Sequence, residues 1–248
     1  MNSRLLLSIL TGGIVAMMLL AGCSRLDPGV GTSAASATPT PTHTPPPAPP
    51  SPPPAGTSAT ASVPRVTVYA SRGGTEKLTL ANPRPSGAPL TFLVVQSSNG
   101  WLEVDLPDRP NGSRGWISAS QATLHDLVYS LRVSTEQNTL SLYRNNTLVT
   151  TYPAATGTGG TPTPHGSFYL TELLAPNNSG YGPYAFGLSA YSAVLSSFGG
   201  GPGQIGLHGT DDAASIGRAV SHGCIRLSNA DITTLATTLP LGTPITVE

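Results

Sequence analysis

Apolar positions open the chain as one block and later recur with a period of two. Arg4 is followed by an apolar run over residues 5–20, broken by Ser8, Thr11, Gly12 and Gly13. At about 16 residues it is shorter than the ~20 that a membrane-spanning helix requires, and it predicts a cleavable export signal over residues 1–22. Alternation begins near residue 64. Residues 65–69, 90–96, 101–106 and 115–117 are short β-type runs separated by turn residues. Ser98-Asn99-Gly100 predicts a hairpin between the second and third, because Asn and Gly accept the positive φ angles of tight turns. The pattern resumes after Leu124: residues 128–134 alternate, and 139–143 with 148–152 predict a second hairpin, closed at Asn145-Asn146. Helix signal falls late. Ser228 or Asn229 can cap a helix that places Ile232, Leu235, Ala236 and Leu239 on one face and ends at Pro240, and residues 241–247 predict a last strand. The expected fold class is mainly β: a small β module over residues 64–123 and a second β domain with a short helix over 124–248.

Composition separates these regions from what precedes them. Residues 24–63 are dominated by Ala, Thr, Ser and Pro, with only Arg25 and Asp27 charged, and ten of the sixteen residues in 39–54 are proline. Such a stretch buries too little apolar surface to offset the entropy of ordering, and its prolines favour extended polyproline II. At ~3.1 Å per residue the Pro-rich part spans roughly 50 Å, which suits a semi-rigid stalk over residues 23–63. Only 10% of the chain is charged, with 12 basic and 12 acidic residues. Nucleic acid is therefore an unsuitable partner, since it demands clustered positive charge.

Two short strings carry resemblances of their own. Leu20-Ala21-Gly22-Cys23 resembles the lipobox of bacterial lipoproteins, which implies acylation of Cys23 once the signal is removed. Acyl chains, at ~0.8 kcal/mol per buried CH₂, would hold the protein to the outer face of the cytoplasmic membrane. Residues 106–117 resemble SH3-like modules that precede the catalytic domain of some bacterial cell-wall enzymes. Trp101 and Trp116 suit either the core of such a module or an exposed platform.

Only two cysteines are present. With Cys23 lipidated, Cys224 has no intramolecular partner in an oxidising compartment, and a lone thiol there calls for a reason. It sits in Ser221-His222-Gly223-Cys224-Ile225-Arg226-Leu227. In an extended segment Cys224 and Arg226 share one face while Ile225 and Leu227 turn to a core. Gly223 permits backbone geometry that aims amide N–H groups at an oxyanion. A thiol nucleophile needs a nearby imidazole, and two are available: His222, two residues away, and His208, delivered by the β-type run 205–210. Spacing alone does not choose between them. A zinc site built from His208, Asp211 or Asp212, His222 and Cys224 lacks any standard ligand spacing. Ser189 half-matches a hydrolase elbow without its second glycine, and Asp211-Asp212 suits a solvated turn better than a glycosidase pair.

A His-Gly-Thr segment followed about a dozen residues later by Ser-His-Gly-Cys-Ile-Arg-Leu is similar to the signature of the L,D-transpeptidases with a YkuD-like catalytic domain. The similarity extends through residues 161–168, 182–186, 221–229 and 241–244, and so covers about 125–248. It implies a β-sandwich-type catalytic domain, with Cys224 as nucleophile and His208 as proton donor and acceptor. Backbone amides around His222, Gly223 and Cys224 would form the oxyanion hole, His222 would be structural or orient substrate with Ser221 beside it, and Tyr184 and Gly209 would contact substrate. Arg226 and Arg218, close to Cys224 in sequence within a sparsely charged domain, are the leading candidates to meet stem-peptide carboxylates. Family members often carry Asn where this chain has Arg226. No metal or other cofactor is implied. The partners would be peptidoglycan stem peptides, donor and acceptor, with carbapenems as inhibitors. The reaction implied is 3→3 cross-linking through an acyl-enzyme with release of D-alanine. L,D-carboxypeptidase activity, with water as acceptor, and a non-catalytic lipoprotein that grips peptidoglycan are the alternatives. Residues 174–203, rich in Gly, Ser and aromatic side chains that include Tyr181, Tyr184, Phe186 and Tyr191, are a candidate cover for the site.

Overall fold

The computed structural model describes residues 55–198 and 200–248. The expected signal, Cys23 and the stalk up to residue 54 lie outside them. No helix among the described residues is long and apolar enough to cross a membrane.

The first sheet contains β1 (Gly56–Ala61), β2 (Arg65–Tyr69), β3 (Glu76–Ala81), β4 (Thr91–Ser98), β5 (Trp101–Asp105), β6 (Arg114–Ser118) and β7 (Ala122–Leu127). All pairings are antiparallel, in the order β3-β2-β6-β5-β4-β1-β7. Period two decides its faces. Val66, Val68, Phe92, Leu102, Val104 and Ile117 form the core, while Tyr69, Trp101 and Trp116 remain half-exposed outside it. Trp101 meets Tyr69 edge-on, and the Arg72 guanidinium lies over Trp116. The β4–β5 hairpin turns at Asn99 (φ 50) and Gly100 (φ 78), the signs such a turn requires.

The sheet is wider than alternation predicts. Strand β1 lies in residues that composition assigns to the stalk, and β7 runs past residue 123 to Leu127. Gly-Thr-Ser-Ala-Thr-Ala has no strong apolar period. It is a strand because it pairs on both sides, with β4 and β7, and buries Ser58 and Ala59.

The second region contains β8 (Tyr129–Ser134), β9 (Thr139–Arg144), β10 (Thr147–Pro153), β11 (Thr156–Gly157), β12 (Gly166–Leu174), β13 (Ala185–Tyr191), β14 (Gln204–His208), β15 (Ala219–Ser221), β16 (Ile225–Arg226), α1 (Asn229–Thr238) and β17 (Pro244–Val247). Eight strands form one mixed sheet, β10-β9-β8-β17-β12-β13-β14-β16, and β11 pairs with β15. Asn145 and Asn146, both at positive φ, close the β9–β10 hairpin as predicted. The Ser228 hydroxyl caps α1 by accepting the Asp231 N–H at 3.1 Å. Ile232 and Leu235 carry the helix into a cluster with Leu131, Phe168, Phe186, Leu207 and Ile225. Burying such a side chain contributes ~1.5–3 kcal/mol, enough to hold a helix whose threonines give it little intrinsic propensity.

Residues 174–203 are only in part a cover. Their middle is β13, whose Phe186 is fully buried in the core, and Tyr191 is also buried. Tyr181 and Phe198, on either side of that strand, line both clefts described next, and Phe186 lines the second.

Candidate active site

Strand β14 has the sequence Gln-Ile-Gly-Leu-His. Period two sends Ile205 and Leu207 into the core and leaves Gln204, Gly206 and His208 on the opposite face. Strand β16 lies parallel to it, with Leu207 beside Ile225 and His208 beside Arg226. Ile225 and Leu227 are fully buried, so Cys224 and Arg226 emerge on the His208 side. Five residues therefore meet at one cavity of about 190 Å³: Cys224, His208, His222, Arg226 and Tyr181, with Gly180 and Phe198 completing the wall. A second cleft of about 400 Å³ shares Cys224, Tyr181 and Phe198 and extends over Gly206, Gly187, Gln204 and Glu172. The thiol stands where the two meet.

The loop that presents Cys224 is held by its own first residue. Ser221 Oγ accepts the Gly223 N–H at 3.0 Å and donates to the Cys224 carbonyl at 2.6 Å. Gly223 has φ 115, a conformation that L side chains rarely adopt. Its amide is engaged with Ser221, so of the three amides expected to face an oxyanion this one already has a partner. The amide N–H of Gly206 donates to Cys224 Sγ at 3.3 Å.

His208 is 4% exposed. Its Nδ1 donates to the Gly209 carbonyl at 2.6 Å, which fixes the neutral ring with the lone pair on Nε2. Burial lowers the His208 pKa to about 4; the bond to Gly209 opposes the shift, and the nearby Arg226 charge adds to it. Burial likewise raises the Cys224 pKa, against smaller lowering by the Gly206 N–H and Arg226. Both groups are thus neutral at rest, a thiol beside an imidazole. His222 differs from His208: it is exposed, and its ring stacks on Phe198 at 5.3 Å between centroids. The Tyr181 ring lies 4.6 Å from that of His208, centroid to centroid.

Gly206 leaves the floor open between the His208 ring and the Cys224 thiol. A Cβ there would stand 3.5 Å from His208 Cδ2 and 3.7 Å from Cys224 Sγ, ordinary contacts that would fill the space open to a carbonyl between the two groups. Gly206→Ala should therefore fold normally yet lower kcat/KM on the order of tenfold or more. Thermal melting beside steady-state kinetics checks this, and an unimpaired variant would place the reacting group elsewhere.

Not every residue expected at the site reaches it. Tyr184, Gly209 and Arg218 line neither cleft. Tyr184 packs on the core and its carbonyl accepts the Gly209 N–H at 3.2 Å. Gly209 is buried against Gly182 and Asn229, whose Oδ1 also accepts the Thr210 N–H at 3.0 Å. Arg218 is exposed just before β15. Arg226 does line the first cleft, and its buried Nε has no hydrogen-bond partner among the described residues. Phe198, Gly206, Gln204 and Glu172 were not anticipated. For Gly206 and Gln204 the alternation of β14 was a usable signal, and Phe198 falls inside the aromatic-rich stretch expected to cover the site without being singled out there; for Glu172 there was no signal. No group of three or more metal-ligating side chains occurs among the described residues.

The family model for the YkuD L,D-transpeptidase catalytic domain matches residues 128–247. YkuD of Bacillus subtilis (strain 168) is 37% identical over 124 residues, 50% of this chain and 68% of that protein. YkuD of Bacillus licheniformis is 35% identical over 150 residues, 57% of this chain and 83% of that protein. A crystal structure of an L,D-transpeptidase from Mycobacterium tuberculosis H37Rv aligns at 19% identity and a TM-score of 0.42, covering 57% of this chain and 74% of that one. With more than two thirds of both Bacillus proteins matched at over 30% identity, this chain belongs to the YkuD family of L,D-transpeptidases.

Proposed function

We propose that the protein forms 3→3 cross-links between peptidoglycan stem peptides through an acyl-enzyme on Cys224. The observation that carries this is the convergence of Cys224 Sγ and the His208 ring on the open floor at Gly206, where two clefts meet. His208 Nε2 takes the thiol proton as Sγ attacks the carbonyl between the stem's diamino acid and its D-alanine. Amides of the 222–224 turn, those of His222 and Cys224 first, receive the oxyanion. The C–N bond breaks, D-alanine leaves with the proton from His208, and a thioester remains. The side-chain amine of a second stem then attacks the thioester and gives its proton to His208, which returns one to the departing thiolate. Arg226, which lines the first cleft beside Cys224, is the natural partner for a stem carboxylate. Two clefts sharing one thiol suit a donor and an acceptor better than a donor and water, which favours transfer over carboxypeptidase activity. The sequence order of signal, small residues and Cys23 supports a lipid anchor on the outer face of the cytoplasmic membrane.

Purified protein incubated with disaccharide-tetrapeptide should release D-alanine and yield 3→3 dimers, read by mass spectrometry. A carbapenem, whose β-lactam carbonyl stands in for the scissile amide, should add once per protein. Tripeptide without dimer would assign the carboxypeptidase reaction instead, and absence of both product and adduct would refute the acyl-enzyme.

A further inference from the structure

The residues that follow β13 have little regular structure, with a single bridge between Phe198 and Gly201. They nonetheless place Phe198 against both clefts and against the His222 ring. Besides local bonds, among them the Ser192 N–H to the Gly203 carbonyl and the Val194 and Leu195 N–H groups to Ser192 Oγ, they are held from the loop between β5 and β6. Arg109 Nη1 donates to the Ser192 carbonyl at 2.8 Å, and Nη2 donates to the carbonyls of Leu195 at 3.0 Å and Pro202 at 3.1 Å. One guanidinium therefore gathers carbonyls from both ends of the excursion. The same group lies over the Tyr191 ring, 5.1 Å from its centroid. Asn111 bonds the Tyr191 backbone in both directions at 2.8 Å, and the Tyr191 hydroxyl donates to the Pro107 carbonyl at 2.8 Å. Gly203 leaves room for this: a Cβ there would meet Arg109 Nη2 at 3.1 Å.

We propose that Arg109 is a positioning residue of the active site, and that by fixing the segment carrying Phe198 it sets how the acyl-enzyme divides between an amine acceptor and water. This rests on the transpeptidase reading. The physical reason is water exclusion. A thioester waiting for an amine survives in proportion to how well water is kept from it, and Phe198 is, with Tyr181, one of the two rings that line both clefts at the thiol. A planar guanidinium spans three carbonyls at fixed angles; a lysine ammonium on a flexible stem does not. Charge-assisted bonds of this kind are stronger than neutral ones, so their loss loosens the segment locally.

The test uses the full chain with Arg109→Ala, Arg109→Lys and Phe198→Ala, and three readouts. These are the ratio of 3→3 dimer to tripeptide, the rate of carbapenem addition, and amide hydrogen exchange across residues 192–203. Arg109→Ala should speed exchange in that segment and lower the dimer-to-tripeptide ratio at least about fivefold, with carbapenem addition within about threefold of wild type. Arg109→Lys should fall in the same direction. Phe198→Ala should reproduce the ratio change without faster exchange. Phe198 is 43% exposed, so its truncation opens no buried cavity, and it decides the matter even where Arg109→Ala fails to fold. Faster exchange in Arg109→Ala with an unchanged ratio, or an unchanged ratio in Phe198→Ala, overturns the proposal. Wild-type protein that makes only tripeptide overturns the transpeptidase reading beneath it, whereas wild-type dimers with no shift in the variants overturn the role of Arg109 alone.

Discussion

Cys224→Ala is expected to abolish both the carbapenem adduct and dimer formation, with turnover reduced at least on the order of a thousandfold, while the fold is kept. The fold should survive because the turn around Cys224 is held through main chain. Ser221 Oγ bonds the Gly223 amide and the Cys224 carbonyl, neither of which the substitution removes, and only the Gly206 N–H contact to Sγ is lost. Cys224→Ser keeps an acceptor for that N–H and is nearly the same size, so it isolates chemistry from shape. Its hydroxyl is a far weaker acid than a thiol, and a neutral imidazole has to remove the proton during attack. Most activity should be lost here too. Intact mass after incubation with a carbapenem reads the result directly. An adduct that persists in Cys224→Ala would move the nucleophile elsewhere, and a wild-type protein without one would leave Cys224 as a small hydrophobe in a wall.

How much of this was legible beforehand differs by residue, for physical reasons. Cys224, His222 and Arg226 stand in one short string and His208 in one strand; a period of two places Cys224 and Arg226 on a common face, while Gly223, at φ 115, breaks the period before His222, and the pairing with His208 came from the family resemblance. The helix cap at Ser228 and the Asn-Asn and Asn-Gly turns were readable because their chemistry is local. Phe198 was legible only as one ring of an aromatic-rich candidate cover, since its local bonds, to Gly201, do not set where the segment sits. Its segment is anchored by Arg109, more than 80 residues earlier, through carbonyls that every residue type possesses. Glu172 is held in the same way, by Arg84 at 3.5 Å and by the Ser86 hydroxyl, both from the first sheet. Arg218 shows the converse: six positions before Cys224 in sequence, it is turned out to solvent just before β15 and lines neither cleft. Strand β1 escaped notice because its small residues owe their conformation to two neighbours rather than to any pattern of their own.

His208→Ala should lower turnover by about a hundredfold to ten-thousandfold, the usual worth of a positioned general base, and His222→Ala by much less. The reason lies in the protonation states. Burial holds His208 at about 4, so the ring is an unprotonated base at every pH above that value. Burial also raises the Cys224 pKa, so thiolate forms unaided only on the alkaline side of the ordinary thiol range. A resting thiolate–imidazolium pair is thereby disfavoured, so in the proposed mechanism the proton moves from Sγ to Nε2 only as attack begins. Two measurements follow. The acid limb of kcat/KM should fall near pH 4, well below the 6.5 of an ordinary imidazole, and alkylation of Cys224 by iodoacetamide should be slow at neutral pH and quicken on the alkaline side. Stability should carry the same signature. Between about pH 6.5 and 4 the unfolded chain binds a proton on this residue that the folded protein does not, so stability falls as pH drops through that window, and the His208 share of the slope should vanish in His208→Ala. An acid limb near pH 6.5, or an imidazolium signal for His208 by NMR at pH 7, would show a preformed ion pair. Catalysis would then start from a thiolate already made rather than from a thiol that His208 must first deprotonate.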